Sequence, residues 1–128
     1  MLRRAVIQNL KNIPALGGRV YQAFLAPANV DKPYATVKLA TQIGSANISF
    51  AGTQPVEVYL YADQDSFINL DVIEKEVIEV LAGEIRDTTT GNYFELAWAP
   101  GTSDFVDPEK KLIGRRVIFN TALLMTKE

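Results

Sequence analysis

The stretch from Val56 to Leu81 limits what this chain can fold into more than any other part of it. Val56, Val58 and Leu60 alternate with Glu57, Tyr59 and Tyr61, and apolar residues then recur at Phe67, Leu70, Ile73, Val77, Ile78 and Leu81. Spacing of two puts one set of side chains on one face of a strand, whereas spacing of three and four draws a stripe along a helix. A strand with one apolar face, followed at once by an amphipathic helix, can bury both surfaces only by packing them together. That combination is the unit of an α+β domain.

The flanking sequence repeats the theme. Tyr34–Thr41 alternates, with Ala35, Val37 and Leu39 on one face and Tyr34, Thr36 and Lys38 on the other. Residues 2–13 form an amphipathic pattern through Leu2, Ala5, Val6, Leu10 and Ile13, which Pro14 stops. Leu16-Gly17-Gly18 is a turn that supplies positive φ, and Arg19–Leu25 restarts as a strand. Tyr93–Trp98 alternates again, and Gly114–Thr126 is a long strand, apolar on both faces at Ile118, Phe119, Leu123 and Leu124, which suits a central position in the sheet. Gly83 is placed to cap the second helix, and Asp63–Ser66 offers residues to cap its start.

These elements predict an α+β fold: an antiparallel or mixed sheet of about five strands with two helices packed on one face, in the order α-β-β-β-α-β-β. With no repeat, linker or low-complexity tract, residues 1–128 form one domain. Two long connections stand out, 42–54 and 99–111, because loops of about a dozen residues are uncommon in compact domains and often have a task.

The residue inventory removes most chemistry. The chain has no cysteine and no histidine, so disulfides, thiolate and Ser-His-Asp catalysis and Cys- or His-based metal sites are excluded. No Walker or dinucleotide glycine pattern is present. Asp63-Gln64-Asp65 opens like a calcium loop, but Phe67 and Ile68 stand where an oxygen ligand and a glycine belong. Asp87-Thr88-Thr89 lacks the glycine and apolar strand of an aspartic-protease triplet, and Asp104, Asp107 and Glu109 suit a solvated loop beside Lys110 and Lys111. No catalytic residue, cofactor or metal is therefore expected.

With 13 basic and 15 acidic residues, the net charge of −2 gives no electrostatic reason to expect nucleic acid or an anionic membrane. No apolar run approaches the roughly 20 residues that span a bilayer, and no signal-peptide core follows Arg3–Arg4, which points to the cytoplasm. Tyr59 and Tyr61, with Glu57 as their neighbour, are better suited to covering a second sheet face or meeting a subunit than to stacking on bases.

Several phrases together resemble a known family. A leading helix runs into Ile13-Pro14-Ala15-Leu16-Gly17-Gly18-Arg19-Val20-Tyr21, then Lys32-Pro33-Tyr34-Ala35-Thr36-Val37, a Gly/Ser loop, and Pro55-Val56-Glu57-Val58-Tyr59-Leu60-Tyr61-Ala62 before a helix through Leu81. This succession resembles the tail-completion (tail terminator) proteins of long-tailed bacteriophages, from the first helix to residue 83 and more loosely beyond. The resemblance implies a non-enzymatic virion protein, assembled in the bacterial cytoplasm, that forms a ring, usually of six subunits, on the head-proximal end of the tail tube. Its implied partners are further copies of itself, the tail tube protein and the head–tail connector, with no membrane and no nucleic-acid sequence recognition. A head–tail joining protein is the alternative within that class, and a small ligand-binding domain using Tyr59, Tyr61 and Trp98 the alternative outside it.

A ring needs unlike patches that meet head to tail. Apolar residues in the long connections and on the outer side of the second helix, with basic residues near the final strand, are the candidates: Ile48, Phe50, Ile68, Val72, Phe105, Val106, Arg115 and Arg116.

Overall fold

The structure, a computed structural model, describes residues 2–27, 30–41, 43–44, 51–63, 67–109 and 111–124. Helix α1 (Leu2–Leu10) buries Ala5, Val6 and Leu10 and is followed by a single 3₁₀ turn, Pro14–Leu16. Gly17 closes that turn in the left-handed region at φ +55°. The Arg19 side chain lies where a Cβ on Gly17 would sit and donates from Nε to the Pro33 carbonyl (3.0 Å). The positive φ favours glycine there, and the missing side chain leaves room for the Arg19 guanidinium.

Strands β1 (Val20–Gln22), β2 (Tyr34–Leu39), β3 (Ile43–Gly44) and β4 (Ala51–Asp63) precede helix α2 (Phe67–Leu81), and β5 (Gly83–Arg86), β6 (Tyr93–Asp107) and β7 (Leu112–Leu124) follow it. The main path across the sheet is β1-β2-β4-β7-β6-β5, with β3 beside β4. Among the described residues only β1 and β2 run parallel, and every other pairing is antiparallel. The fold is thus α+β with a mixed sheet and two helices, as expected.

The order differs from expectation at two strands. Gly83–Arg86 forms β5 on residues expected only to end the helix, and β3 adds a short pairing inside the connection 42–54. The connections are also shorter than the sequence suggests. Strand β4 already begins at Ala51, and β6 runs on to Asp107, so most of the segment 99–111 is strand. A bulge between Ala99 and Ser103 takes up Pro100 and Gly101, the residues that gave the segment the look of a loop.

Both helices cover one face of the sheet. Their Val6, Leu10, Leu70, Ile73, Val77 and Leu81 join Val37, Val58, Leu60, Val117 and Phe119 of the strands in a single core. Cross-strand register carries this face across the sheet, through Val37↔Val58, Val58↔Val117 and Val56↔Phe119. Beyond Val56 and Phe119 the β4–β7 ladder continues to Ala51↔Leu124.

A proline inside that ladder is accommodated by its neighbour. Ala40 donates its N–H to the Pro55 carbonyl (3.1 Å), but Pro55 has no N–H to return. The buried Gln54 side chain supplies the missing donor, reaching the Ala40 carbonyl from Nε2 at 2.8 Å.

The loop after β5 is tied to α1. Asp87, whose side chain has no exposed surface, accepts from Arg4 Nε and Nη2 (3.1 and 2.8 Å), from the Thr89 N–H (3.0 Å) and from the Thr90 hydroxyl (3.1 Å). Arg4 holds the Asp87 carboxyl well below the ordinary carboxylate range, against the opposing effect of its burial. The Asp-Thr-Thr triplet is therefore a joint between helix and loop.

Candidate assembly surface

The sheet face away from the helices carries an aromatic row. Alternation turns Tyr34, Tyr59 and Tyr61 to this side because Ala35, Val58 and Leu60 face the core. Tyr34 stacks on Tyr61 with ring centroids 4.7 Å apart, and Tyr21 meets Tyr34 edge-on at 6.5 Å. Phe105 completes the row, edge-on to Tyr61 at 5.8 Å and to Tyr59 at 6.3 Å.

Phe105 reaches that place because its cross-strand partner is Gly114. A Cβ on Gly114 would collide with the Phe105 ring, nearest its Cζ. The glycine therefore provides space, since its backbone needs no positive φ, and the ring lies across β7 toward the tyrosines. Covering a strand glycine with an aromatic from the next strand is a recurrent device in sheets.

Around this row the molecule forms an open groove of about 1170 Å³. Lys32 and Lys38 stand on its β2 side, Asp107 and Glu109 on the side of the β6–β7 turn. Arg116 reaches Glu57 (3.3 Å), and Glu57 also accepts from the Tyr59 hydroxyl (3.3 Å). Burial first, then the Glu57 charge, raise the Tyr59 phenol above its ordinary value. Burial likewise raises Tyr34, so both hydroxyls remain protonated at neutral pH. Phe24 stands at the rim, 91% exposed at φ +68°, with Leu25 beside it at 67%. A bulky residue in the left-handed region is unusual, and so much exposed ring at a turn is unusual too.

The structure separates the residues singled out from sequence. Ile48 and Phe50 lie outside the described residues. Ile68 and Val72 are exposed on the outer side of α2, at 69% and 55%. Phe105 is half-buried in the aromatic row, and Val106 is exposed beside it. Both belong to strand β6, not to a loop.

Arg115 and Arg116, adjacent in β7, point to opposite faces. Arg116 borders the groove through its pair with Glu57, whereas Arg115 lies on the helix side with only 6% of its surface exposed. Its guanidinium binds Asp104 (2.6 Å), Asp71 (2.5 Å) and Glu74 (3.4 Å) of its own subunit, which join β6 and α2 to β7. It therefore has little surface left for a partner. Period-two alternation in a strand was the signal that could have found this, because two consecutive arginines cannot both face solvent across a sheet with one covered side.

Among the described residues no group of three or more carboxylates is placed to hold a metal ion, and no helix is long and apolar enough to cross a membrane. The arrangement offers a concave aromatic face, an apolar rim and mixed charge, which suit contact with protein.

No protein-family model matches the sequence, and no curated protein matches it. The fold is similar to that of a chain in the solved virion of a native gene transfer agent (GTA) particle, with a TM-score of 0.69 and 16% sequence identity over 96% of this chain and 94% of that one. At that identity the likeness is one of fold, and it extends over nearly the whole of both chains.

Proposed function

We propose that this chain is a non-enzymatic structural protein of a phage-type virion. It caps the head-proximal end of the tail tube, stops tube growth and helps to join tail to head as a homo-oligomeric ring, most simply a hexamer. The observation that carries the reading is the near-complete correspondence of fold with a chain of the gene transfer agent virion. The resemblance of residues 10–83 to tail terminators supports the more specific role. Two features of the surface agree with a ring: the aromatic groove on one side of the sheet and the exposed apolar residues of α2 on the other.

On this reading the chain is assembled in the bacterial cytoplasm and becomes part of the virion neck, in contact with the tail tube protein and the head–tail connector. Negative-stain microscopy of particles made without the gene tests it. Overlong tails lacking heads are expected, because tube growth has lost its stop. Tails of normal length lying apart from filled heads would reassign the chain to head–tail joining, and intact virions would overturn the reading.

A further inference from the structure

We infer that the aromatic groove is filled by the outer face of α2 from a second copy of this chain, so that neighbouring subunits meet front to back. The inference rests on the ring reading above and names the two surfaces that meet.

The first argument is placement. The groove lies on one side of the sheet and α2 on the other, so a contact between them cannot be its own mirror. It joins unlike patches and propagates from subunit to subunit, as a ring requires and a two-fold dimer does not.

The second is spacing along the two surfaces. On the groove face, Lys38 is exposed on β2, and the rings of Tyr34, Tyr61 and Phe105 lie four residues along the ladder from it. At roughly 3.3 Å per residue this separates the charge from the apolar centre by about 13 Å. On α2, Glu79 is exposed in line with Val72 and Ile68, seven and eleven residues before it. At roughly 1.5 Å per residue these lie about 10 and 16 Å from the charge, bracketing the same distance. With Glu79 against Lys38, Val72 and Ile68 therefore fall over the aromatic centre of the groove.

The third is charge order. Lys75, one turn before Glu79, comes over the Tyr59 ring, whose face favours an ammonium. Glu57, cross-strand from Lys38, is already engaged by Arg116 (3.3 Å), which leaves Lys38 to meet Glu79. Turning the helix end for end would carry Glu79 beyond the aromatic rings toward Asp107 and Glu109, where the base lining the groove, Lys32, is already engaged by Asp63 (3.4 Å). The direction of the helix in the groove is thereby fixed.

The chain has no cysteine, so introduced thiols report alone. Full-length K38C and E79C, both at exposed positions, are prepared separately and treated with a short bismaleimide, singly and mixed, as concentrated protein and in particles from cells making both. A cross-linked dimer is expected only in the mixture, and a ladder from the K38C/E79C double variant. Dimers from either variant alone would mark a two-fold contact and overturn the inference. So would absence of the mixed product in both the concentrated protein and the particles. A normal virion after gene deletion would instead sink the tail assignment while leaving the cross-link readable, so the two failures are distinguishable.

Discussion

Replacing Gly114 by alanine tests whether the aromatic row is built as described. The added Cβ collides with the Phe105 ring at its Cζ, so either the strands shift or the ring leaves. Overpacking of this kind costs roughly 1–3 kcal/mol. If the ring swings out, two edge-to-face contacts of about 0.5–1.5 kcal/mol each are lost, a similar sum. Against this, alanine gains about 0.5–1 kcal/mol over glycine within a strand. Gly114→Ala is therefore expected to lower stability by about 1–2 kcal/mol, equivalent to about 4–8 °C in Tm for a chain of this size. The sharper measurement is the double-mutant cycle with Phe105→Ala, by urea unfolding followed through the single tryptophan, Trp98. With the ring absent, Gly114→Ala is expected to be neutral or stabilising, giving a coupling of about 2 kcal/mol. An equal effect of Gly114→Ala in both backgrounds would refute the argument that Gly114 exists to admit Phe105.

Other expectations follow from particular contacts. Gln54→Ala removes the donor to the Ala40 carbonyl beside Pro55 and is expected to lower stability by about 1–2 kcal/mol, seen as a reduced urea midpoint with unchanged slope. Arg115→Met leaves Asp71, Glu74 and Asp104 facing one another, and a loss of about 3 kcal/mol is expected, the low end for a broken buried pair because Asp71 and Asp104 remain half solvated. Phe24→Asn relieves the positive φ and exposes less apolar surface, so the unfolding free energy, read from urea titration, is expected to be unchanged or raised by about 1 kcal/mol. Because the folded-state pKa of Asp87 is lowered, its stabilising contribution is complete above about pH 4 and declines as pH falls below that value. Asp87→Asn is expected to lower Tm at neutral pH and to flatten the acid limb of a Tm–pH profile.

The elements legible in the sequence were those whose periodicity had no interruption. β2, the centre of β4, and α2 alternate or repeat cleanly, and each appears where the pattern put it, with Leu70, Ile73, Val77 and Leu81 buried. β5 was not legible because it has one buried residue, Ile85, and starts on a glycine, so local composition says only that a helix has ended. The outer ends of β4 and β6 were hidden by Gly52, Pro55, Pro100 and Gly101, whose local preference for turns is overridden by pairing with distant strands.

The groove was half legible. Tyr59 and Tyr61 could be assigned to the face away from the core, but their meeting with Phe105 depends on the register Phe105↔Gly114, which no local pattern reveals. Alternation could show that one of Arg115 and Arg116 faces the helices, but not that Arg115 is paired there, because its three carboxylates come from α2 and β6.

The β4–β7 ladder also bears on how the chain behaves while it is being made. Asp63 ends β4 and Leu112 begins β7, so 48 residues, 64–111, lie between them. A ribosome working at about 5–20 residues per second needs roughly 2–10 s to produce that stretch. During this interval β4 can pair with β2 and receive α2, but its other edge has no partner, and the place of Phe119 in the core is empty. The sheet is closed through its middle only once β7 has been synthesised. The second wall of the groove is set at the same moment, since Gly114 and Phe105 arrive on the same hairpin. A nascent chain stalled before β7 would hold a helix-covered half sheet without the groove, unable to receive a neighbour and exposed to unwanted pairing along β4.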